Sequence, residues 1–242
     1  MDRETLDALG AIIDKACDER NKEELEFIVN KYSDEYVETL DDEEIRIHLY
    51  YYLANAWSGL KDILHEKNQT EIWKFEQKEI FNAIYYYRKA ISASCFDAMN
   101  IEMKTSIYTN IGNIFNHYGR TIIALKYYNK ALKLSPNFFM ALANKAICLE
   151  TYANLEYDIG HKDLMYREAL SRYKEANLEI KKYIQQYSYN NEYYKNIYDM
   201  VHYRSSSIKE FFTHESLDES INIDYCELGE STEEREITEN GY

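Results

Sequence analysis

Residues 105–138 read TSIYTNIGNIFNHYGRTIIALKYYNKALKLSPNF, and small and bulky residues alternate along them in a fixed order. Tyr108, Ile111, Gly112 and Phe115 come first, then Ala124, Tyr128 and Ala131, then Pro136. The spacing predicts two antiparallel helices joined by a tight turn at Gly119. Gly112 and Ala124 are small where two helices must approach closely, and Tyr108, Phe115 and Tyr128 fill the space around them. Pro136 is the chain's one proline, and it stops the second helix. A single hairpin of this kind leaves an apolar face uncovered, so further hairpins are expected beside it.

Position for position, the stretch resembles one complete tetratricopeptide (TPR) repeat of 34 residues. Used as a ruler, that resemblance implies further pairs. Upstream, Tyr50, Leu53, Ala54 and Trp57 repeat the first-helix spacing, and Ala83, Tyr87 and Ala90 the second. Ala54 and Ala83 are 29 residues apart, against 12 for Gly112 and Ala124, so about 17 residues are inserted. They are expected as longer helices and a loop near residues 65–69, with the second helix starting near Thr70. Downstream, Leu142, Ala146 and Leu149 fit a first helix, and Ala169, Tyr173 and Ala176 a second. The first of these is expected to run from Phe139 to about Asp158 and to turn at Gly160.

The expected fold class is therefore all-α: a TPR-like α-solenoid of antiparallel helix pairs with a capping helix and an acidic, disordered C-terminal tail. Residues 1–45 form a degenerate N-terminal pair around Leu9, Gly10, Ile13, Leu25, Ile28 and Val29. Repeats occupy 46–189, as pairs at about 47–95, 105–138 and 139–187. Residues 190–213 carry Ile197, Met200, Val201, Ile208 and Phe211 at helical spacing and read as the cap that a terminal repeat needs. Residues 214–242 read as an acidic tail or linker. Ser231–Glu234 has the pattern of a capping box, which would open a helix just before Tyr242, so a missing further domain is expected.

Composition narrows the function. The chain has 242 residues, 45% of them apolar, only seven glycines, and a formal charge of −15. Residues 215–242 hold ten acids and one base, Arg235. An acidic chain repels phosphate, so direct nucleic-acid binding is not expected. Lys126, Lys130 and Lys133 make a basic stripe that reads as a solvated helix face; a single-strand track would add interleaved exposed aromatics, and only Tyr127 is a candidate. Cys17, Cys95, Cys148 and Cys226 are scattered without a C-x-x-C pair, the N-terminus lacks an apolar leader, and no apolar run is long enough to span a membrane. Free thiols in the cytoplasm are the simplest expectation.

No phosphate-binding glycine loop, H-E-x-x-H or G-x-S-x-G pattern is present. The six histidines are dispersed, so no catalytic residue, metal site or cofactor is expected. The groove of the stack is the candidate site. Asn55, Asn110, Asn113 and Asn144 fall on groove-facing positions, with Asn110 and Asn144 one repeat apart. An asparagine amide both donates and accepts, so it can pair with the backbone of an extended peptide of any sequence. His48, Tyr51 and Tyr52 would add side-chain selectivity. The rival reading is that these amides bond to neighbouring helices. Thr109, Met140 and Ala143 stand where the carboxylate-clamp TPR pattern has Lys and Arg, so capture of an acidic C-terminal tail is not expected.

The run ALANKAICLETYANLEYDIGHKDLMYREA (141–169) and the segment GESTEEREITENGY (229–242) are similar to the TPR region of a bacterial family in which the repeats precede a C-terminal HEPN domain. HEPN domains are often metal-independent RNases with an R-x4–6-H motif, and no arginine of this chain has that spacing. The resemblance therefore implies a repeat module without its nuclease. The function expected is non-enzymatic binding of a protein or peptide, as a sensor or regulatory scaffold. The alternative is the regulatory part of a HEPN-type RNase defence or toxin system, with the effector in cis or in trans. A peptide-pheromone sensor and self-association into a homo-oligomer are the remaining alternatives.

Overall fold

In the computed structural model, which describes residues 1–67, 78–186 and 191–214, the chain is all-helical, with no strand among those residues. The helices are α1 (Arg3–Asp18), α2 (Lys22–Lys31), α3 (Asp34–Glu38), α4 (Glu43–Lys67), α5 (Lys78–Ser92), α6 (Ile101–His117), α7 (Thr121–Leu134), α8 (Phe139–Leu155), α9 (Ile159–Gln186) and α10 (Asn191–His214), with one 3-10 turn at Phe96–Ala98. None is long and apolar enough among the described residues to cross a membrane. The expected loop at 65–69 and helix start at Thr70 fall largely outside the described residues; α4 itself continues to Lys67. The acidic segment 215–242 also lies outside them.

Local chemistry sets the helix ends. Asp2, Asn21 and Asn100 cap α1, α2 and α6, each accepting a backbone N–H three residues on, which satisfies a donor that has no partner within the helix. The α6–α7 turn is closed by two reverse hydrogen bonds, from Arg120 N–H to the Phe115 carbonyl and from Gly119 N–H to the Asn116 carbonyl. That geometry requires a left-handed residue, and Gly119 supplies it at φ +68°. The α1–α2 turn closes the same way, from Asn21 to Ala16 and from Arg20 to Cys17, but the left-handed residue there is Arg20, at φ +56°. α7 ends at Leu134, and Pro136 sits in the short link to α8. α8 ends at Leu155 rather than near Asp158, and α9 already includes Gly160.

The closest helix packing is between α4 and α5, α6 and α7, and α8 and α9, with α10 laid on α9. Successive pairs meet through α5 on α6 and α7 on α8, while α1 and α2 pack on α4. One core cluster runs from α1 to α7 and takes in Cys148; a second joins α8, α9 and α10, and Leu125 packs against both. Each second helix buries one tyrosine completely between two alanines: Tyr87 with Ala83 and Ala90, Tyr128 with Ala124 and Ala131, Tyr173 with Ala169 and Ala176. The alanines let the helices approach and the ring fills the gap. An added Cβ at Gly112 would stand 2.6 Å from Tyr128 Cε1. Phe115 is buried and stacks on Tyr127 at 5.7 Å between ring centroids. Tyr108 is half-buried beside Phe96 and Tyr127, and Ile111 is in the core.

Candidate functional site

A buried tyrosine ring must still find a partner for its hydroxyl, and that need organises the surface of the first helices. Tyr87 donates to Asn55 Oδ1 at 2.6 Å, and Tyr128 donates to Asn113 Oδ1 at 2.9 Å. Asn110 Nδ2 also donates to Asn55 Oδ1, at 3.2 Å across the α4–α6 junction. Asn55 therefore binds neighbouring helices through its carbonyl oxygen, as the rival sequence reading has it. The same pattern leaves Asn113 Nδ2 as a donor and Asn110 Oδ1 as an acceptor, one helical turn apart on α6.

Asn55, Asn110 and Asn113 line one cavity of about 580 Å³, together with Asp14, Cys17, Tyr51, Asp62, Tyr87, His117 and Tyr193. Tyr51 also borders a second cavity of about 280 Å³, walled by Arg3, Asp7, His48, Tyr52 and Glu102. Glu102 and Ser106 lead on into a third, of about 620 Å³, lined by Phe138, Phe139, Met140, Tyr183 and Tyr194. Tyr193 of α10 edges both the first and the third. The three cavities share lining residues along α1, α4, α6 and the start of α8, with the first turn of α10 on two of them; this run of cavities is the groove.

The remaining candidates divide between groove and packing. Asn144 on α8 is half-buried and lines none of these three cavities. Tyr52 lies over Gly10 of α1, where an added Cβ would come within 2.5 Å of its Cζ; its ring couples α1 to α4. Tyr51 is flanked by Tyr52 and Tyr87, and burial raises its hydroxyl pKa, partly offset by hydrogen bonding from Asn55 and Ser106. His48 is 3% exposed. Arg3 Nη2 lies 3.1 Å from its Nε2, and its Nδ1 lies 2.8 Å from the Glu44 carbonyl. A guanidinium only donates, so Nε2 accepts and Nδ1 carries the proton. Burial holds this imidazole below its usual pKa.

Neither Cys17, on the groove, nor Cys148, in the core, has the character of an activated thiol. Burial, followed by the fields of Asp14, Asp18 and Asp62, pushes the Cys17 thiol up to about 11, and burial pushes Cys148 to about 12; the thiolate is the reactive form. Among the described residues, no set of three His, Cys, Asp or Glu could hold a metal ion. In the basic stripe, Lys130 sits over the Tyr108 and Tyr127 rings, at 5.6 and 5.4 Å from their centroids, so those rings are committed to internal packing. Asp14, Asp62 and Tyr193 are groove residues absent from the sequence reading. Tyr193 reaches the groove only through the placement of α10, which no local spacing encodes.

No protein-family model matches the chain, and no curated protein matches it.

Proposed function

We propose that this chain is a TPR-like helical scaffold that holds an extended peptide segment of a partner protein in the groove over α4 and α6, and that it works by binding rather than by catalysis. The observation that carries the reading is that Asn110 Nδ2 and Asn113 Oδ1 are engaged inside the protein, which leaves an acceptor on Asn110 and a donor on Asn113 at the wall of the 580 Å³ cavity. A residue in extended conformation points its own N–H and C=O to the same side. Asn110 accepts the first and Asn113 donates to the second, whatever the side chain. The Tyr128 hydroxyl holds the Asn113 amide from behind, and Asn55, itself held by Tyr87, holds that of Asn110, which lowers the entropy lost on binding. Tyr51 and Tyr193 supply flat, stiff walls. The raised thiols and the scattered histidines favour recognition over chemistry.

Panning a display library of unstructured peptides against the protein, followed by fluorescence anisotropy on enriched sequences, tests this. Asn110→Ala leaves Asn55 Oδ1 bonded to Tyr87, so the fold is retained. The expected result is enriched peptides whose affinity falls about tenfold in Asn110→Ala, the equivalent of one backbone hydrogen bond, with an unchanged circular dichroism spectrum. Failure to enrich any peptide, or equal binding by both proteins, overturns the proposal.

A further inference from the structure

Charge decides what kind of peptide the groove would hold. Two bases line it, and both are already paired. Arg3 Nη1 is 2.7 Å from Glu44 Oε1, and Arg3 Nε is 3.7 Å from Asp7 Oδ1. Lys61 is buried, with Nζ 2.8 Å from Asp62 Oδ1. The acids Asp14 and Glu102 are left over on the lining. Asp14 has Asp18 one turn further along α1, and no ion pair joins either of them to a base among the described residues.

Those two aspartates are badly placed for α1 itself. Like charges four residues apart repel, and negative charge at a helix C-terminus opposes the helix dipole. Asp18 is the last residue of α1. Both side chains are exposed. Asp14 lines the same cavity as Tyr51 and Tyr193, and burial and then the fields of Asp18 and Asp14 raise the Tyr193 hydroxyl. An unpaired carboxylate on a cavity wall shared with Tyr51 and Tyr193, with a second one turn further along α1, matches a side chain with a cationic head and an apolar stem. The groove is like-charged to residues 215–242, with their ten acids, so the chain's own C-terminal segment is the wrong occupant.

Resting on the peptide-binding reading above, we infer that the groove selects a basic extended peptide, with a lysine or arginine seated between Asp14, Asp18 and Tyr193 while the adjoining backbone pairs with Asn110 and Asn113. The probes are fluorescein-labelled peptides of about ten residues, alternating Ala with Lys, Ala with Ser, or Ala with Glu. They are titrated by anisotropy at about 0.15 M salt, where the long-range field of the net charge is screened. Two variants are compared with the natural protein: Asp14→Asn/Asp18→Asn, and a control with the same charge change at exposed positions elsewhere, Glu23→Gln/Asp41→Asn.

The Ala/Lys peptide is expected to bind at least about tenfold tighter than Ala/Ser, with Ala/Glu weakest. Asp14→Asn/Asp18→Asn should remove that advantage, unlike the control, which keeps it. Equal binding of Ala/Lys and Ala/Ser overturns the inference and leaves the peptide-binding reading standing. Equal losses in both variants overturn it too, because bulk charge then explains the preference. A protein that binds none of the three, and no display-selected peptide, overturns both.

Discussion

Replacing Gly112 by alanine tests the close approach of α6 and α7. The added Cβ would lie 2.6 Å from Tyr128 Cε1, 2.8 Å from Cδ1 and 3.0 Å from Cζ, against about 3.5–4.0 Å for a comfortable carbon contact. The ring cannot easily retreat. It is fully buried, Ala124 and Ala131 bracket it on its own helix, and its hydroxyl is held by Asn113 at 2.9 Å. Overpacking of this kind costs about 1–3 kcal/mol, and the better helix propensity of alanine returns up to about 1 kcal/mol. The net expectation is a loss of about 1–2 kcal/mol. Urea titration followed by circular dichroism should show a midpoint lowered by roughly 0.5–1 M at an unchanged slope. In a Tyr128→Leu background the obstructing ring atoms are gone, so the same glycine replacement should become neutral or stabilising, a coupling that a double-mutant cycle reads directly. A Gly112→Ala protein as stable as the natural one, or a penalty that survives in the leucine background, would refute the reasoning.

The other glycine of that hairpin fails for a different reason. Gly119→Ala meets no atom within 4 Å, yet at φ +68° it should cost about 1 kcal/mol in the same titration, from backbone strain alone. Glu150 accepts from Tyr173 of α9 and Arg204 of α10, so Glu150→Ala should cost about 1.5–3 kcal/mol and speed amide hydrogen exchange in α10 more than in α6. His48 has a folded pKa below its unfolded value of about 6.5. Its contribution to stability is therefore complete above that value and is lost as the pH falls through the lower folded one. The stability of the natural protein should decline between about pH 7 and 5 by an increment that His48→Gln lacks. Cys148, fully buried with its thiol pushed to about 12, should stay unreactive to a thiol reagent until urea unfolds the protein, whereas an early reaction would show that α8 opens locally.

The all-helical fold was readable because its signals are local. The alanine–tyrosine–alanine spacing of the second helices recurs three times, since each hairpin solves the same packing problem with the same residue sizes. The α6–α7 turn announces itself through a glycine in the left-handed position. The equivalent turn after α1 does not, because Arg20 holds that conformation, and this is why the N-terminal pair gave so faint a signal. The end of α8 was harder to place. Nothing between Leu155 and Ile159 breaks a helix strongly, and the link forms where Glu156 accepts from Tyr157 and Asp158 N–H, and Asp158 from His161 N–H. For the groove, helical register brings Asn55, Asn110 and Asn113 to one cavity but not Asn144, and the partner of each amide was not legible. That partner depends on which side chain arrives from the neighbouring helix, Tyr128 for Asn113 and Asn55 for Asn110. The contribution of Asp14 and Tyr193 needs α1 and α10 to face the same cavity, a relation between residues about three quarters of the chain apart.

The central claim is that Asn110 and Asn113 hold the backbone of an extended peptide. It is tested most directly by recording the side-chain amide resonances of asparagine-labelled protein while a display-selected peptide is added. Asn110 and Asn113 should shift together, in proportion to occupancy, while Asn144 stays fixed. Shifts confined to Asn144 or to asparagines away from the groove, with Asn110 and Asn113 unmoved at saturation, would contradict it.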